Sequence, residues 1–281
     1  MNNITFIKGA LLVVLVVLLL APFTFLKPKS LTKVELSQPT QSIIVKKAIK
    51  KPVIKKIIEK PLHQVNLPDF AAISDVKEKK QQFFDFIRPS VDRENTKLLV
   101  KRAKLEFWLE QVSLELPLSD VDLTLLADLV KRYRVNKRAS VLQQVNDLLV
   151  RIDIIPAPLV LVQAANESAW GTSRFSRIGL NFFGIWCYRE GCGMVPGGRN
   201  KGAKHEVAAF KSVDAAVARY FYNINSHNAY RVFRAIRFEL RSQGQPLNPE
   251  ILATGLLPYS ERGADYVIDI TKMLRQNKQY F

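Results

Sequence analysis

Apolar positions recur at helical spacing through most of the chain. In "SVDRENTKLLVKRAKLEFWLEQV", the residues Leu98, Leu105, Trp108, Leu109 and Val112 lie at intervals that put them on one face of a helix. Comparable patterns occur in "RASVLQQVNDLLVRI" and "ADYVIDITKMLRQ". The sequence therefore predicts a series of amphipathic helices packed around one apolar core.

Local signals indicate where several of these helices begin and end. We expect the helix in "DVKEKKQQFFDFI" to end at Pro89, because proline removes a backbone donor. Ser119 and Asp122 form a predicted capping pair for the next helix, and Ser212 is expected to cap "SVDAAVARYFYNINS". Residues 229–243 are predicted to form a further helix.

The amino-acid composition changes in residues 179–202, which hold seven of the chain's 12 glycines. Such density breaks helices and predicts a loop-rich lobe with short strands. "HEVAAF" follows, at residues 205–210, and is predicted to be a strand. The expected fold class is therefore α+β, mostly helical, with a small glycine-rich β lobe.

Residues 9–26 form an uncharged, mostly apolar run. At 1.5 Å per residue it spans about 27 Å, close to the hydrocarbon thickness of a bilayer. No A-x-A cleavage site follows, which favours a signal anchor over a cleaved signal peptide. The three lysines after the run, against one before it, would by the positive-inside rule keep the rest of the chain in the cytoplasm.

The net charge of +17 points to a polyanionic partner, and residues 27–60 carry ten lysines against two acidic residues. This segment is expected to be a disordered tether that lies on anionic lipid or is simply solvated. Nucleic-acid binding is disfavoured because interleaved aromatic residues are missing. The expected organisation is an anchor or signal (1–26), a basic linker (27–66), an N-terminal helical region (67–150) and a catalytic domain (151–281).

Glu167 lies in a helix pattern that opens at Pro156 and Pro158, since proline is tolerated in a first turn. If the helix continues, Ala164, Glu167 and Gly171 share one stripe, and the small residues leave space over the carboxylate. A carboxyl group between apolar walls tends to keep its proton, which is the state a general acid needs.

Two interpretations of Glu167 remain open on spacing alone. In the first, Trp170 supplies an aromatic wall and Glu167 acts as an acid. In the second, Glu167 is a structural residue in a salt bridge to Arg174 or Arg177.

A resemblance favours the first interpretation. "QAANESAWGTSRF" followed by "NFFGIW" resembles the two motifs of bacterial peptidoglycan N-acetylglucosaminidases. "IWCYREGCG", "HEVAAF" and "YSERGADYV" are similar to the Bax-type branch of that family, which is bacterial and unrelated to the apoptosis regulator. The resemblance covers about residues 155–274 and implies a lysozyme-like α+β domain that hydrolyses the bond after N-acetylglucosamine in cell-wall glycans.

The resemblance implies that Glu167 is the general acid that protonates the leaving glycosidic oxygen. A second carboxylate would come from the glycine-rich lobe, where Glu206 is preferred over Glu190 because a strand would fix its direction. If neither acts, the substrate's own N-acetyl group is the expected nucleophile.

The candidate substrate-binding residues have structural alternatives. Asn181 binds sugar or caps a turn, the tryptophans stack on sugar or pack in the core, and Tyr266 lies at the cleft or at an apolar helix position. Glu261 and Arg262 are expected to form a local ion pair with no role in substrate binding. The candidates are Trp170, Asn181, Phe183, Trp186, Tyr259 and Tyr266.

Cys187 and Cys192 are spaced to close a small disulfide loop, with two free buried thiols as the alternative. His205 and His227 lack neighbours that would complete a ligand set, so no metal is expected, and no motif indicates an organic cofactor.

The sequence thus predicts a monomeric glycosidase anchored in the inner membrane, with its catalytic domain in the periplasm, acting on peptidoglycan without binding nucleic acid. The alternatives are a lysozyme-like muramidase or lytic transglycosylase, and a non-catalytic wall-binding scaffold. The outward orientation follows from the resemblance, against the positive-inside argument.

Overall fold

The structure is a computed structural model that describes residues 59–197, 202 and 204–281. They fall within one compact unit, Ile57–Phe281. The predicted membrane span and most of the predicted linker lie outside the described residues. Within these, no helix is both long and apolar enough to cross a bilayer.

Helices dominate this unit. In chain order they are α1 (Val76–Ser113), α2 (Asp120–Arg132), α3 (Val141–Arg151), α4 (Ala157–Ser168), α5 (Arg174–Gly179), α6 (Val213–Ser226), α7 (Arg231–Ser242), α8 (Pro249–Ala253) and α9 (Ala264–Gln276). Short 3-10 turns occupy Asn228–Tyr230, Thr254–Tyr259 and Lys278–Tyr280.

The predicted caps are present. The Ser119 hydroxyl accepts a hydrogen bond from the backbone N–H of Asp122 (3.2 Å), and Ser212 accepts one from Ala215 (3.1 Å). Each satisfies a backbone donor that the first helical turn leaves unpaired.

The prediction of a helix end at Pro89 is wrong, because α1 runs for 38 residues with Pro89 inside it. Proline in a helix interior costs about 3 kcal/mol, since one backbone hydrogen bond is lost. Buried apolar side chains on both sides of it, Phe84, Ile87 and Val91, anchor the helix to the core. Burying each of these side chains contributes about 1.5–3 kcal/mol, enough to offset that cost.

Helix α1 forms a long support for the other helices, because it packs against α3, α4 and α6. Helix α4 is held on another side by α9. The helix that carries Glu167 is therefore enclosed by elements from widely separated parts of the chain, and eight of its residues are buried.

The predicted β lobe is a small antiparallel sheet of β1 (Trp186–Cys187), β2 (Gly193–Met194) and β3 (Glu206–Ala208), in the order β1-β3-β2. Trp186 pairs with Val207, and Gly193 pairs with Ala208. A side chain at position 193 would overlap the Val207 carbonyl oxygen, so only glycine permits this close approach. The mostly helical α+β prediction is confirmed. Likeness to lysozyme stays a prediction.

Contacts with the folded unit begin earlier than the predicted boundary at Leu67. The Leu62 backbone N–H donates to the Ile178 carbonyl (2.8 Å), and Glu59 forms an ion pair with Arg174 (2.6 Å). Both partners belong to α5, so Glu59 and Leu62, which fall in the predicted linker, contact this helix.

Candidate active site

Glu167 is half-buried near the end of α4, which begins after Pro156 as predicted. The prediction that Ala164, Glu167 and Gly171 share one helix face is wrong, because the helix ends at Ser168. Ala169 and Trp170 then adopt left-handed backbone conformations, with φ of 50° and 57°. Gly171 follows with φ of 76° and packs against the Phe70 ring. This sharp turn removes Gly171 from the helix face that carries Glu167.

Gly184 is the small residue that faces the Glu167 carboxylate. A Cβ atom added at Gly184 would lie 3.7 Å from Glu167 Oε2. Gly184 has φ of 63°, which glycine adopts without the steric cost of other residues. Gly184 therefore holds a backbone conformation that suits glycine, and its missing side chain also leaves room beside the acid.

The salt-bridge interpretation of Glu167 is wrong. Arg174 pairs with Glu59, and the Arg177 side chain donates to the Thr172 carbonyl oxygen (3.1 Å). Among the described residues, Glu167 has no ion-pair partner. Its carboxyl group is therefore buried without a compensating positive charge.

Burial raises the pKa of Glu167 above its ordinary value. Two neighbours partly oppose this shift by stabilising the charged form. Asn166 donates from Nδ2 to Glu167 Oε1 (3.0 Å), and the hydroxyl of Tyr266 faces the same carboxyl group. The net elevation favours the protonated acid.

Four tyrosines surround Glu167, and we call them the tyrosine cluster: Tyr220, Tyr230, Tyr259 and Tyr266. Tyr259 is central, with ring centroids 6.3 Å from Tyr220, 6.0 Å from Tyr230 and 5.4 Å from Tyr266. Burial raises the pKa of each phenol, to about 12 for Tyr230, and the Glu167 charge adds to each elevation. All four hydroxyls therefore stay protonated at neutral pH and can donate hydrogen bonds.

Gln163 connects two members of the tyrosine cluster one helical turn before Glu167. It donates from Nε2 to the Tyr266 hydroxyl (2.8 Å) and accepts a hydrogen bond from the Tyr220 hydroxyl. The sequence reasoning missed Gln163, Tyr220 and Tyr230. The spacing of Gln163, four positions before Glu167, was an available signal, whereas the tyrosines come from α6 and the following turn.

A cavity of about 520 Å³ opens beside Gly184. Among the predicted binding residues it brings together Phe183, Trp186 and Tyr259. Its lining is Arg134, Phe183, Gly184, Ile185, Trp186, Tyr188, Arg219, Tyr222, Asn223, Ser226, His227, Ala229, Tyr230, Pro258 and Tyr259. The cavity has aromatic walls on one part of its surface and arginines on another.

The "NFFGIW" motif shapes this cavity through its backbone. Asn181 is buried and donates from Nδ2 to the carbonyls of Ile185 and Ala208, both at 2.8 Å. Its Oδ1 accepts from the backbone N–H groups of Phe183 and Ile185. Asn181 thus uses both amide atoms to hold the turn, which is the turn-capping alternative rather than sugar binding.

Phe183 is fixed from both sides. Its ring stacks on Tyr220 with centroids 4.3 Å apart, and its carbonyl accepts a hydrogen bond from the Tyr259 hydroxyl (2.9 Å). The motif and the tyrosine cluster are therefore one packed assembly.

Trp170 lies elsewhere, so its predicted role as a wall for Glu167 is not supported. Its ring packs against Phe83 and Phe84 of α1, with centroids 5.8 and 5.3 Å away, and Lys80 lies over it at 5.3 Å. Trp170 is not among the residues that line the cavity. The more frequent role of tryptophan, core packing, applies here.

The predicted disulfide between Cys187 and Cys192 is present and bounds a loop of the β lobe. Trp186, 48% exposed, precedes it and stacks on the His205 ring with centroids 4.1 Å apart. Tyr188, 78% exposed, follows Cys187 inside the loop. Both aromatic residues line the cavity, so the disulfide lies between two of its walls.

The two candidate second acids differ in their surroundings. Glu206 is buried, and its carboxylate accepts hydrogen bonds from the backbone N–H groups of Gly191 (3.0 Å) and Gly193 (2.8 Å). Glu190 is exposed within the disulfide loop. The geometry of Glu206 favours a structural role, because its oxygens hold the loop backbone.

The remaining polar candidates do not join the site. Arg262 pairs with Asp269 (2.5 Å), so the predicted pair with Glu261 is wrong. The His227 Nδ1 accepts from the Ala229 backbone N–H (3.2 Å), which caps a turn at the cavity edge.

One group in the described part of the chain has metal-like spacing: the sulfurs of Cys187 and Cys192 and a carboxylate oxygen of Glu206 lie within 4.8 Å of one another. Because the two sulfurs are bonded to each other, they offer no thiolate ligand.

Comparisons with known proteins agree on one family. Residues 142–279 match the glucosaminidase family, described as mannosyl-glycoprotein endo-beta-N-acetylglucosaminidase. Protein bax of Escherichia coli (strain K12) is 31% identical over 215 residues, which are 76% of this chain and 75% of that protein. No solved structure matches the chain. The family match includes Glu167, the "NFFGIW" motif and the tyrosine cluster.

Proposed function

This chain belongs to the glucosaminidase family, and on that premise we propose that it hydrolyses peptidoglycan at the β-1,4 bond after N-acetylglucosamine. The observation that carries the proposal is Glu167. It is a carboxyl group with an elevated pKa and no ion-pair partner among the described residues, beside a cavity with aromatic walls.

In this proposal Glu167 is the general acid. Cleavage of a glycosidic bond leaves an alkoxide unless a proton reaches the leaving oxygen as the bond breaks. Because burial raises the pKa of Glu167, the residue keeps its proton to higher pH than an exposed glutamate and can supply it to the leaving oxygen. The proton moves from Glu167 to the glycosidic oxygen, and positive charge develops on the N-acetylglucosamine ring.

The positive charge must be met from the other face of the sugar. Glu206 is engaged by two backbone N–H groups of the disulfide loop, and Glu190 lies on the exposed side of that loop. We therefore propose that the substrate's own N-acetyl oxygen is the nucleophile and that water opens the resulting ring. The neutral hydroxyl of Tyr230, which lines the cavity, can orient the acetyl group by hydrogen bonding.

We propose that the enzyme acts in the periplasm as a monomer and is held to the inner membrane by residues 9–26. The apolar run and the ten lysines of residues 27–60 support attachment to an anionic membrane surface. The Cys187–Cys192 disulfide supports an oxidising compartment.

Digestion of purified peptidoglycan by the full chain tests the proposal, with wild type compared with Glu167→Gln. We expect cleavage to fall about 10²–10⁴-fold, because glutamine cannot donate the proton. Glu190→Gln is the matched control and should retain wild-type activity. Reducing-end N-acetylglucosamine in the products supports the proposal. Anhydro-muramic products would reassign the chain to the lytic transglycosylases, and unchanged cleavage by Glu167→Gln would refute the role of Glu167.

A further inference from the structure

The cavity beside Gly184 adjoins a depression of about 370 Å³. Arg219 and Tyr222 of α6 line both. Arg134 lines the cavity, and Arg132 lines the depression. We call Arg132, Arg134 and Arg219 the arginine cluster. It borders the surface that runs from the aromatic walls to the end of α2.

Tyr222 organises two of these arginines. The guanidinium carbons of Arg132 and Arg219 lie 5.7 and 5.5 Å from the centroid of its ring. The Tyr222 hydroxyl donates to the backbone carbonyl of Arg132 (3.0 Å), which fixes the end of α2 against α6. Two guanidinium groups thus contact one aromatic ring, which holds both positive charges along the same surface.

In residues 59–197, 202 and 204–281, no carboxylate forms an ion pair with the arginine cluster. Other arginines in the described residues form ion pairs with nitrogen-to-oxygen distances below 4 Å, as Arg262 does with Asp269 and Arg275 with Glu250. The arginine cluster forms none of these pairs, and its three side chains are exposed. Its guanidinium groups are therefore available to an external anion.

Arg134 follows the end of α2. Its φ of 60° belongs to a helix C-terminal turn, in which the Val135 backbone N–H donates to the Val130 carbonyl (3.0 Å) and the Arg134 N–H donates to the Lys131 carbonyl (3.4 Å). This turn brings Arg134 to the same cavity that Trp186 and Tyr259 line.

We propose that the arginine cluster is a carboxylate-binding subsite for the peptide attached to the glycan strand. The inference rests on the proposed function. Peptidoglycan carries peptides with free carboxylates beside its sugars, and guanidinium groups bind carboxylates through two parallel hydrogen bonds. A strand with its sugar between the aromatic walls places the adjoining peptide along the arginine cluster. The enzyme then prefers peptide-bearing glycan to glycan from which the peptides have been removed.

Calorimetric titration of the full chain with Glu167→Gln tests the subsite without turnover. The ligands are a soluble disaccharide-peptide from peptidoglycan and the same disaccharide without its peptide. Replacing all three arginines with glutamine should weaken binding of the peptide-bearing ligand by about tenfold or more, a larger factor than the loss for the peptide-free ligand. Replacing all three with lysine keeps the charge but loses the paired hydrogen bonds, and should give an intermediate affinity.

A matched control removes three other exposed positive charges, by changing Lys77, Lys272 and Lys278 to glutamine. This variant should bind both ligands as the unaltered background does. Equal binding by the arginine variant and its background, or equal losses for both ligands, would overturn the proposal. Vesicles containing phosphatidylglycerol are titrated in parallel. A loss of binding confined to these vesicles would assign the cluster to lipid headgroups and would also overturn the proposal.

The two proposals fail in different ways. If peptide-dependent binding persists but the wild type releases no glycan fragments, the subsite stands and the hydrolase proposal fails. If fragments are released at equal rates from peptide-bearing and peptide-free glycan by both the wild type and the arginine variant, the hydrolase proposal stands and the subsite fails.

Discussion

Substitution of Gly184 by alanine tests whether open space beside Glu167 sets the acidity of that residue. A methyl group at position 184 would lie 3.7 Å from Glu167 Oε2, an ordinary van der Waals contact. The new group therefore displaces solvent from the carboxylate without forcing the side chain to move. Because burial is the main cause of the elevated pKa of Glu167, we expect that pKa to rise further.

The stability cost follows from the backbone. Gly184 has φ of 63°, and this conformation costs about 1–2 kcal/mol for a residue with a Cβ atom. Alanine also restricts the unfolded chain, which returns about 0.4–1 kcal/mol. We expect the free energy of unfolding to fall by about 1 kcal/mol. For a unit of this size the midpoint of thermal unfolding would drop by about 2–4 °C.

Gly244→Ala is the matched control. Gly244 has φ of 64°, almost the same as Gly184, and a Cβ atom there would meet nothing within 4 Å. Both variants should lose similar stability in thermal unfolding. Only Gly184→Ala should move the pH profile of kcat/KM for glycan cleavage, whose alkaline limb reports loss of the catalytic proton in the free enzyme.

The direction of that movement is fixed by the chemistry. A higher pKa keeps Glu167 protonated to higher pH, so the alkaline limb of Gly184→Ala should shift upward. An unmoved or downward-shifted limb, or the same upward shift in Gly244→Ala, would refute the reasoning about solvent exclusion.

Three further substitutions probe buried groups. Glu167→Gln should be more stable than wild type at pH 7. Because the pKa of Glu167 is raised in the folded state, the wild-type free energy of unfolding declines as pH rises through that pKa, by about 1.4 kcal/mol per unit of elevation. The difference should vanish below about pH 4 in denaturant titrations, and a less stable variant at pH 7 would contradict it. Tyr266→Phe removes a hydrogen bond that stabilises the charged Glu167 carboxylate, so the alkaline limb of the pH profile for cleavage should shift to higher pH. The variant also loses the hydrogen bond from Gln163, which should lower the free energy of unfolding by about 1 kcal/mol. Asp153 is buried, which raises its pKa, but Arg241 and two neighbouring arginines outweigh burial and lower it. Its contribution is therefore present above about pH 4 and lost as pH falls through the lowered pKa, so Asp153→Asn should cost about 3 kcal/mol near neutral pH and less at acid pH in the same titrations.

Features decided by a few neighbouring residues were predictable from the sequence. Ser119 and Ser212 cap helices because each hydroxyl lies within reach of a backbone donor three positions away. The disulfide has the same local origin, since Cys187 and Cys192 are separated by one short loop. The start of α4 after Pro156 is likewise local, since proline is tolerated in a first turn.

Features decided by distant packing were not predictable in this way. The cost of Pro89 is local, but the burial that offsets it depends on helices packed along the whole of α1. Likewise, Trp170 turns away from Glu167 because three consecutive residues after α4 adopt left-handed conformations, and helical periodicity assumes that none does.

For the candidate acids too, local structure was predictable from the sequence, whereas contacts with distant residues were not. The strand alternation predicted a fixed direction for Glu206, and the strand is present. It could not show that the backbone N–H groups of Gly191 and Gly193 would occupy both carboxylate oxygens. The tyrosine cluster comes from two separate regions of the chain, so no short motif contained it.

The hydrogen bond from Gln163 to Tyr266 joins residues 103 positions apart. At a translation rate of about 5–20 residues per second, Tyr266 is added about 5–20 s after Gln163. During that interval a nascent chain carries Glu167 without α9, which packs against α4 and supplies the Tyr266 hydroxyl. The acid therefore acquires its complete surroundings only after α9 has been synthesised.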